Sequence, residues 1–176
     1  MEHLACFAPG MLALGVLRGG ARLPRAAAAN HTRLATQLAT TCWRLYADAP
    51  TGLAPDTIRF DAAEGTYAAS SAKYSLRPET VESLFLMWRL THDRVWRERG
   101  WAIFGALQEH CRTASGYAGL RDVNLKQGRS LEDSMPSFWL AETLKYLYLL
   151  FAEDDVLPLD QWVFNTEAHP FRVEPG

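Results

Sequence analysis

Residues 76–96 read Leu76-Arg77-Pro78-Glu79-Thr80-Val81-Glu82-Ser83-Leu84-Phe85-Leu86-Met87-Trp88-Arg89-Leu90-Thr91-His92-Asp93-Arg94-Val95-Trp96, and the same texture continues to Cys111. Apolar side chains recur at helical spacing on both sides of a short polar break, which predicts one helix over Arg77 to Leu90 and a second over Val95 to Cys111. Pro78 suits a helix's first turn, and Glu79 and Glu82 fall where the helix dipole favours carboxylates. The connection at Thr91, His92 and Asp93 is too short for anything but an antiparallel helical hairpin.

Upstream, His31 to Asp48 places Leu34, Leu38, Cys42 and Leu45 on one stripe, the mark of a helix packing one face on a core. Met11 to Val16 suggests a small buried helix. Downstream, a loop from Thr113 to Ser134 carries Gly116, Gly119 and Gly128, after which Pro136 opens a strongly apolar helix to Phe151. The tail from Leu157 onward reads as irregular. Alternating strand patterns are nearly absent, so the expected class is all-α. Successive helix pairs suit a toroid, a solenoid or a bundle, and periodicity does not choose among them.

The chain has 176 residues, 48% apolar and 22% charged, which matches an ordinary globular domain. A net charge of −2 with scattered Lys and Arg offers no basic stripe, so no nucleic-acid partner is expected. The apolar run Leu4 to Leu17 falls short of the roughly 20 residues a bilayer span needs. Met1, Glu2 and His3 lack the positive charge of a signal peptide's start. Cys6, Cys42 and Cys111 cannot all pair within the chain, and spacing alone does not say which two would. Asn30-His31-Thr32 is an acceptor triplet for N-glycosylation, expected in a polar loop.

Three segments carry candidate chemistry. Glu79 and Glu82 share one helical face next to Arg77, and as first-turn acids they read equally as stabilisers of the helix end. Glu142 falls inside Ser137-Phe138-Trp139-Leu140-Ala141-Glu142-Thr143-Leu144-Lys145-Tyr146. A charge among Leu, Phe and Tyr must be paired or ligand-bound, because unpaired burial is costly or shifts the pKa. Asn165-Thr166-Glu167-Ala168-His169-Pro170 is rich in oxygen donors and would suit a hard cation such as calcium, although such a run is also an ordinary solvated turn.

Taken together and in order, these segments resemble the C-terminal motifs of glycoside hydrolase family 47, the class I α-1,2-mannosidases. The matching stretches are His3 to Phe7 with Gly10 to Gly15, Thr51 to Pro55, Leu76 to Phe85, Gly116-Tyr117, Ser137 to Phe151, and Phe164 to Pro170. They span nearly the whole chain. The resemblance implies an all-α fold, the C-terminal part of an (α/α)7 barrel with about three of its helical hairpins. Residues 1–176 would then be a partial catalytic domain with its N-terminal part missing. The implied activity is calcium-dependent, inverting hydrolysis of terminal α-1,2-linked mannose from high-mannose N-glycans on glycoproteins. The implied compartment is the lumen of the endoplasmic reticulum or Golgi, with a membrane reached only through an anchor absent from this chain.

By the same resemblance, Thr166 ligates Ca2+ through its hydroxyl and carbonyl oxygens. Glu82, Glu142 and Glu167 match positions that hold the ion's waters and the terminal mannose, and Phe138 matches the aromatic under the sugar. His3 and Arg77 match other pocket positions. Glu79 matches the carboxylate proposed as general base, which activates water for attack with inversion. Cys6 and Cys42 match the family's disulfide, leaving Cys111 a free thiol. Asp56, Pro136 and Glu2 depart from the family pattern. Asp56 stands where the family carries a Glu often counted as catalytic, which retracts the carboxylate by one methylene. Misplacement of about 1 Å can cost on the order of a hundredfold in rate. That departure keeps open a non-hydrolytic, mannose-binding relative, and the missing leaving-group acid predicts that the 176 residues alone are inactive.

Overall fold

The computed structural model describes residues 1–126 and 130–173. Gly128 of the expected glycine-bearing loop lies outside the described residues. A 3₁₀ turn, His3–Phe7, leads into α1 (Ala8–Gly19), and α2 (Arg25–Ala47) packs back on it. The hairpin β1 (Thr57–Asp61) and β2 (Thr66–Ser71) follows, then α3 (Glu79–Thr91) and α4 (Arg94–His110). A π-helical turn, Trp139–Leu144, runs straight into α5 (Lys145–Phe151). The short strands β3 (Trp162–Phe164) and β4 (Pro170–Arg172) pair antiparallel near the end.

The helical hairpin expected from residues 76–111 forms as α3 and α4. His92 takes a left-handed conformation, φ 53°, where the chain reverses, and the Asp93 carboxylate accepts from the Val95 amide at 3.0 Å to cap α4. The Thr91 hydroxyl accepts from the Trp96 indole at 2.9 Å across the turn. Helix α3 is the centre of the fold, packed against α1, α4 and α5, and nine of its residues are buried. Close approach explains Gly10: a Cβ there would meet Leu86 Cδ1 at 2.9 Å and the Ser83 backbone at 3.2 Å. The Gly10 amide instead donates to Ser83 Oγ at 3.0 Å, tying α1 to α3.

Several expectations need correction. The class is helix-rich rather than all-α, because two antiparallel strand pairs are present. Sequence patterning missed β1–β2 because only Ile58 of that hairpin is buried, so no apolar alternation marks it. Asp61 folds its turn by accepting from the Ala63 and Glu64 amides at 3.0 and 3.1 Å. The tail likewise forms β3–β4, and the third helical hairpin implied by the resemblance is one composite helix followed by that small sheet. On α2 the buried stripe is Ala35, Ala39, Cys42, Leu45 and Tyr46, whereas Leu34 is exposed. Small side chains face the neighbouring helices because they allow close packing. The same selection makes Pro9, Gly10 and Ala13 the buried face of α1 and leaves Met11 exposed. Asn30 sits exposed within α2, not in a loop, and its partner Thr32 gives its hydroxyl proton to the Ala28 carbonyl at 2.9 Å.

Cys6 and Cys42 are joined by a disulfide that fastens the 3₁₀ turn to α2, and Cys111 is a buried free thiol. Among the described residues no helix is long and apolar enough to cross a membrane. The disulfide closes a loop with a sequence separation of 36. Replacing both cysteines by serine is expected to lower unfolding free energy by about 3 to 4 kcal/mol in urea titrations. A loss below about 1 kcal/mol would show that the bridge does not constrain the unfolded chain as loop entropy requires.

Candidate active site

Burial of an acidic helix start creates the site. Glu79 opens α3 and is 7% exposed, with Glu82 one turn later and half-buried. The chain enters this helix through Leu76, fully buried and left-handed at φ 59°, a strained conformation for a non-glycine residue. The Leu76 carbonyl accepts the Thr143 hydroxyl at 2.7 Å, which fixes the entry against the π-helical turn. That turn presents Glu142, and π-helical insertions of this kind recur at functional sites.

Glu79, Glu82, Glu142 and Thr166 line one cleft of about 300 Å³, with Tyr146 and Asn165 on its polar side and Phe7, Phe85 and Trp162 on its apolar side. Thr166 rides on a tight turn set by Asn165, whose side-chain oxygen accepts from the Glu167 and His169 amides at 3.0 and 2.9 Å. Lys145 donates to the Ala168 carbonyl of the same turn at 2.7 Å. Thr143 and Lys145, one and three positions after Glu142, therefore anchor two different walls.

Behind Glu79, His3 Nδ1 lies 2.7 Å from Oε2, and Arg77 Nη1 is 3.9 Å from Oε1. His3 is held in place by its amide, which donates to the Asp56 carbonyl at 2.9 Å. Asp56 is not on the cleft wall: its carboxylate accepts from the Ser75 amide at 3.1 Å and hydroxyl at 2.5 Å, with Arg77 Nε at 3.7 Å. Phe138 is half-buried just before the π-helical turn and is not a lining residue, and Glu167 is exposed beside Thr166. Tyr46, Thr80 and Lys145 were missed by sequence reasoning and carry no local signal. Tyr146 could have been found, since it stands one helical turn after Glu142.

The carboxylates divide electrostatically. Burial alone would raise Glu79, but the hydrogen bond from His3, its own backbone amide and Arg77 together take it below the ordinary carboxylate value. Burial first, then the charges of Glu142 and Glu79, push Glu82 up to about 7, with the Tyr146 phenol pulling the other way. Glu142 is likewise pushed up to about 7, by burial and then by Glu167 and Glu79, against Lys145. The cleft thus holds one ionised carboxylate beside two that share their protons with solvent near neutrality.

The donors around the cleft are hard oxygens, the type calcium selects. Among the described residues no group of three or more His, Cys, Asp or Glu is placed to hold a metal by itself. An ion here would need the Thr166 oxygens and water, and it would relieve the crowding of Glu82 and Glu142.

The family model described as glycosyl hydrolase family 47 matches residues 1–173. The chain belongs to glycosyl hydrolase family 47. This family 47 chain is 49% identical to the mannosyl-oligosaccharide alpha-1,2-mannosidase IA of Drosophila melanogaster, over 99% of its own length and 26% of the fly protein's. It is 49% identical to a mannosyl-oligosaccharide 1,2-alpha-mannosidase of Arabidopsis thaliana, covering 98% of itself and 30% of that protein. Its fold matches the alpha-1,2-mannosidase from Trichoderma reesei with a TM-score of 0.87 and 31% identity, over 99% of this chain and 39% of that one. The family 47 chain therefore spans 26% to 30% of the length of those two curated relatives.

The raised carboxyl of Glu82 makes stability depend on pH. Its folded value near 7 exceeds its ordinary 4.5, so its contribution is whole below pH 4.5 and is lost as pH climbs towards 7. Glu82→Gln is expected to stabilise the chain by about 1 to 2 kcal/mol at pH 8, after discounting for solvent, and by only about a quarter of that at pH 5. Urea unfolding at the two pH values checks this, and an equal effect at both would contradict the crowded-carboxylate account.

Proposed function

We propose that this site works in a glycosidase that removes terminal α-1,2-linked mannose from high-mannose N-glycans with inversion at the anomeric carbon. The observation that carries the reading is Glu79, a buried carboxylate kept ionised by His3 and Arg77 at the wall of a sugar-sized cleft. An inverting hydrolase needs such a base to take a proton from water as it attacks the sugar. Glu79 supplies it, with Oε2 held by His3 and Arg77 3.9 Å from Oε1. Glu82, Glu142 and Glu167 orient water and the hydroxyls of the terminal mannose. Thr166 holds calcium, with its hydroxyl and carbonyl as donors, and the bound ion supplies a fixed positive charge that organises sugar hydroxyls and water. What supports calcium is the all-oxygen donor set and the two carboxylates raised to about 7, opposed by the Tyr146 phenol at Glu82 and by Lys145 at Glu142.

The disulfide supports an oxidising compartment, the lumen of the endoplasmic reticulum or Golgi. Because the resemblance places the leaving-group acid in family segments that this chain does not match, the 176 residues alone are expected not to release mannose. One observation favours a second reading, a glycan-binding protein that does not hydrolyse: the short Asp56 carboxylate is occupied by Ser75 and Arg77 rather than facing the cleft.

Two measurements separate these readings. Calcium at about a hundred times its dissociation constant should add about 2.7 kcal/mol to stability, a rise of roughly 5 to 10 °C in melting temperature. Thr166→Val should remove more than half of that rise, and an unchanged melting temperature in calcium would overturn the ion assignment. In the full-length protein, calcium-dependent release of β-mannose as first product is expected, with Glu79→Gln lowering kcat by about 10² to 10⁴. Tight glycan binding with no release would instead establish the second reading.

A further inference from the structure

We propose that Tyr46 is a positioning residue for Glu79, acting through His3: its phenol donates to His3 Nε2, which leaves the imidazole neutral with its proton on Nδ1 and that N–H aimed at the carboxylate. This rests on the reading of Glu79 as the water-activating base.

Three buried side chains from separate parts of the chain make the relay. Tyr46 lies in the last turn of α2 and is 0% exposed. Its hydroxyl oxygen is 2.7 Å from His3 Nε2, and Nδ1 of the same ring is 2.7 Å from Glu79 Oε2. A buried hydroxyl must place its proton on an acceptor. The Tyr46 phenol is in direct contact with His3 Nε2, and the Thr80 and Tyr74 hydroxyls stand beside it as donors to its oxygen, which leaves Nε2 as the acceptor for its own proton. Burial, the largest cause, raises the phenol well above its ordinary value, so it keeps its proton and has one to give. Thr80 presents a second hydroxyl to the same nitrogen at 3.2 Å. Nε2 therefore faces two hydroxyls that can donate, a setting that favours the unprotonated nitrogen. The ring proton then belongs on Nδ1.

A neutral ring suits the base better than a charged one. An imidazolium against Glu79 would form a buried ion pair that drains the carboxylate's affinity for a proton. A neutral N–H orients Oε2 and leaves basicity on Oε1, for which Arg77 at 3.9 Å is too distant to be a direct donor. Donation from the phenol also polarises the ring and strengthens the hydrogen bond that the far-side N–H gives to Glu79. The ring of Tyr46 is fixed in turn by edge contacts to His3, 5.8 Å between centroids, and to Tyr74, 6.2 Å.

The test is imidazole nitrogen NMR on the 176-residue chain labelled at histidine, with Tyr46→Phe and Thr80→Val beside it. Phenylalanine keeps the ring and its edge contacts and deletes only the donor. In the unsubstituted chain at neutral pH, His3 Nδ1 should be protonated, and Nε2 should be an unprotonated, hydrogen-bonded acceptor. Tyr46→Phe should move Nε2 towards the free-acceptor position, and Thr80→Val should move it less. Two protonated nitrogens, or a proton on Nε2 alone, would overturn the proposal, as would a Tyr46→Phe spectrum with Nε2 unmoved. Should Tyr46→Phe not fold, the unsubstituted spectrum still decides. In the full-length protein, Tyr46→Phe should lower kcat on the order of tenfold with KM unchanged, the size typical for removing a partner one step behind a working group. An unchanged kcat in a hydrolysing protein overturns the positioning role. The nitrogen pattern is read without turnover, so its presence in a protein that never releases mannose would sink the hydrolytic reading and leave the hydrogen-bond chain standing.

Discussion

The enclosure of α3 is the constraint on which the rest depends. A thirteen-residue helix with nine buried positions presents hardly any face to water. Its carboxylates must therefore be answered by protein groups or by a ligand. Arg89, at the far end, is answered by the chain: its guanidinium donates to the carbonyls of Asp154 and Val156, each at 3.0 Å, its Nε lies 3.4 Å from the Asp154 carboxylate, and it sits over the Phe85 ring at 5.0 Å. The first turn is treated differently. Glu79 is paired by His3 and Arg77, while Glu82 meets only a phenol that cannot neutralise it. One end of the helix is thus sealed by structure, and the other is left with uncompensated charge facing a cleft.

Partial compensation is deliberate in its placement, because the groups that anchor the cleft's walls are neighbours of the group left uncompensated. Thr143 and Lys145 reach away from Glu142 to the Leu76 and Ala168 carbonyls. Both of those residues have positive φ, 59° and 56°. Such conformations persist where surrounding bonds over-determine them. The π-helical turn lets three nearly consecutive side chains point to three different tasks. A regular α-helix would space them at a fixed angle and could not serve both anchors and the cleft so directly.

What was legible in the sequence was local. Caps, first-turn acids and apolar period identify α3 and α4 because each signal lies within a few residues of what it specifies. The stripe on α2 was half misplaced for a physical reason: Leu34-Leu38 and Ala35-Ala39 share one period, and only the surface that α2 meets decides between them. The β1–β2 hairpin was invisible because it buries only Ile58. In the site, Glu79, Glu82, Glu142 and Thr166 were singled out and do converge on one cleft. Asp56 and Phe138 were singled out and lie off its lining. Tyr46 could not be read at all, since nothing near it in sequence marks a residue whose partner is His3, a separation of 43 positions.

Charge and stability point in opposite directions here, and that opposition argues for a ligand. Two carboxyls held near 7 destabilise the fold at neutral pH relative to neutral side chains of the same shape. A purely structural cleft would gain by replacing either with an amide. At the other end of α3 the chain does pair its buried charge, Arg89 with Asp154 at 3.4 Å. Retaining Glu82 and Glu142 without such a partner makes sense if the compensating charge arrives with what binds. Folding then leaves the cleft with two carboxylates that the surrounding side chains do not neutralise.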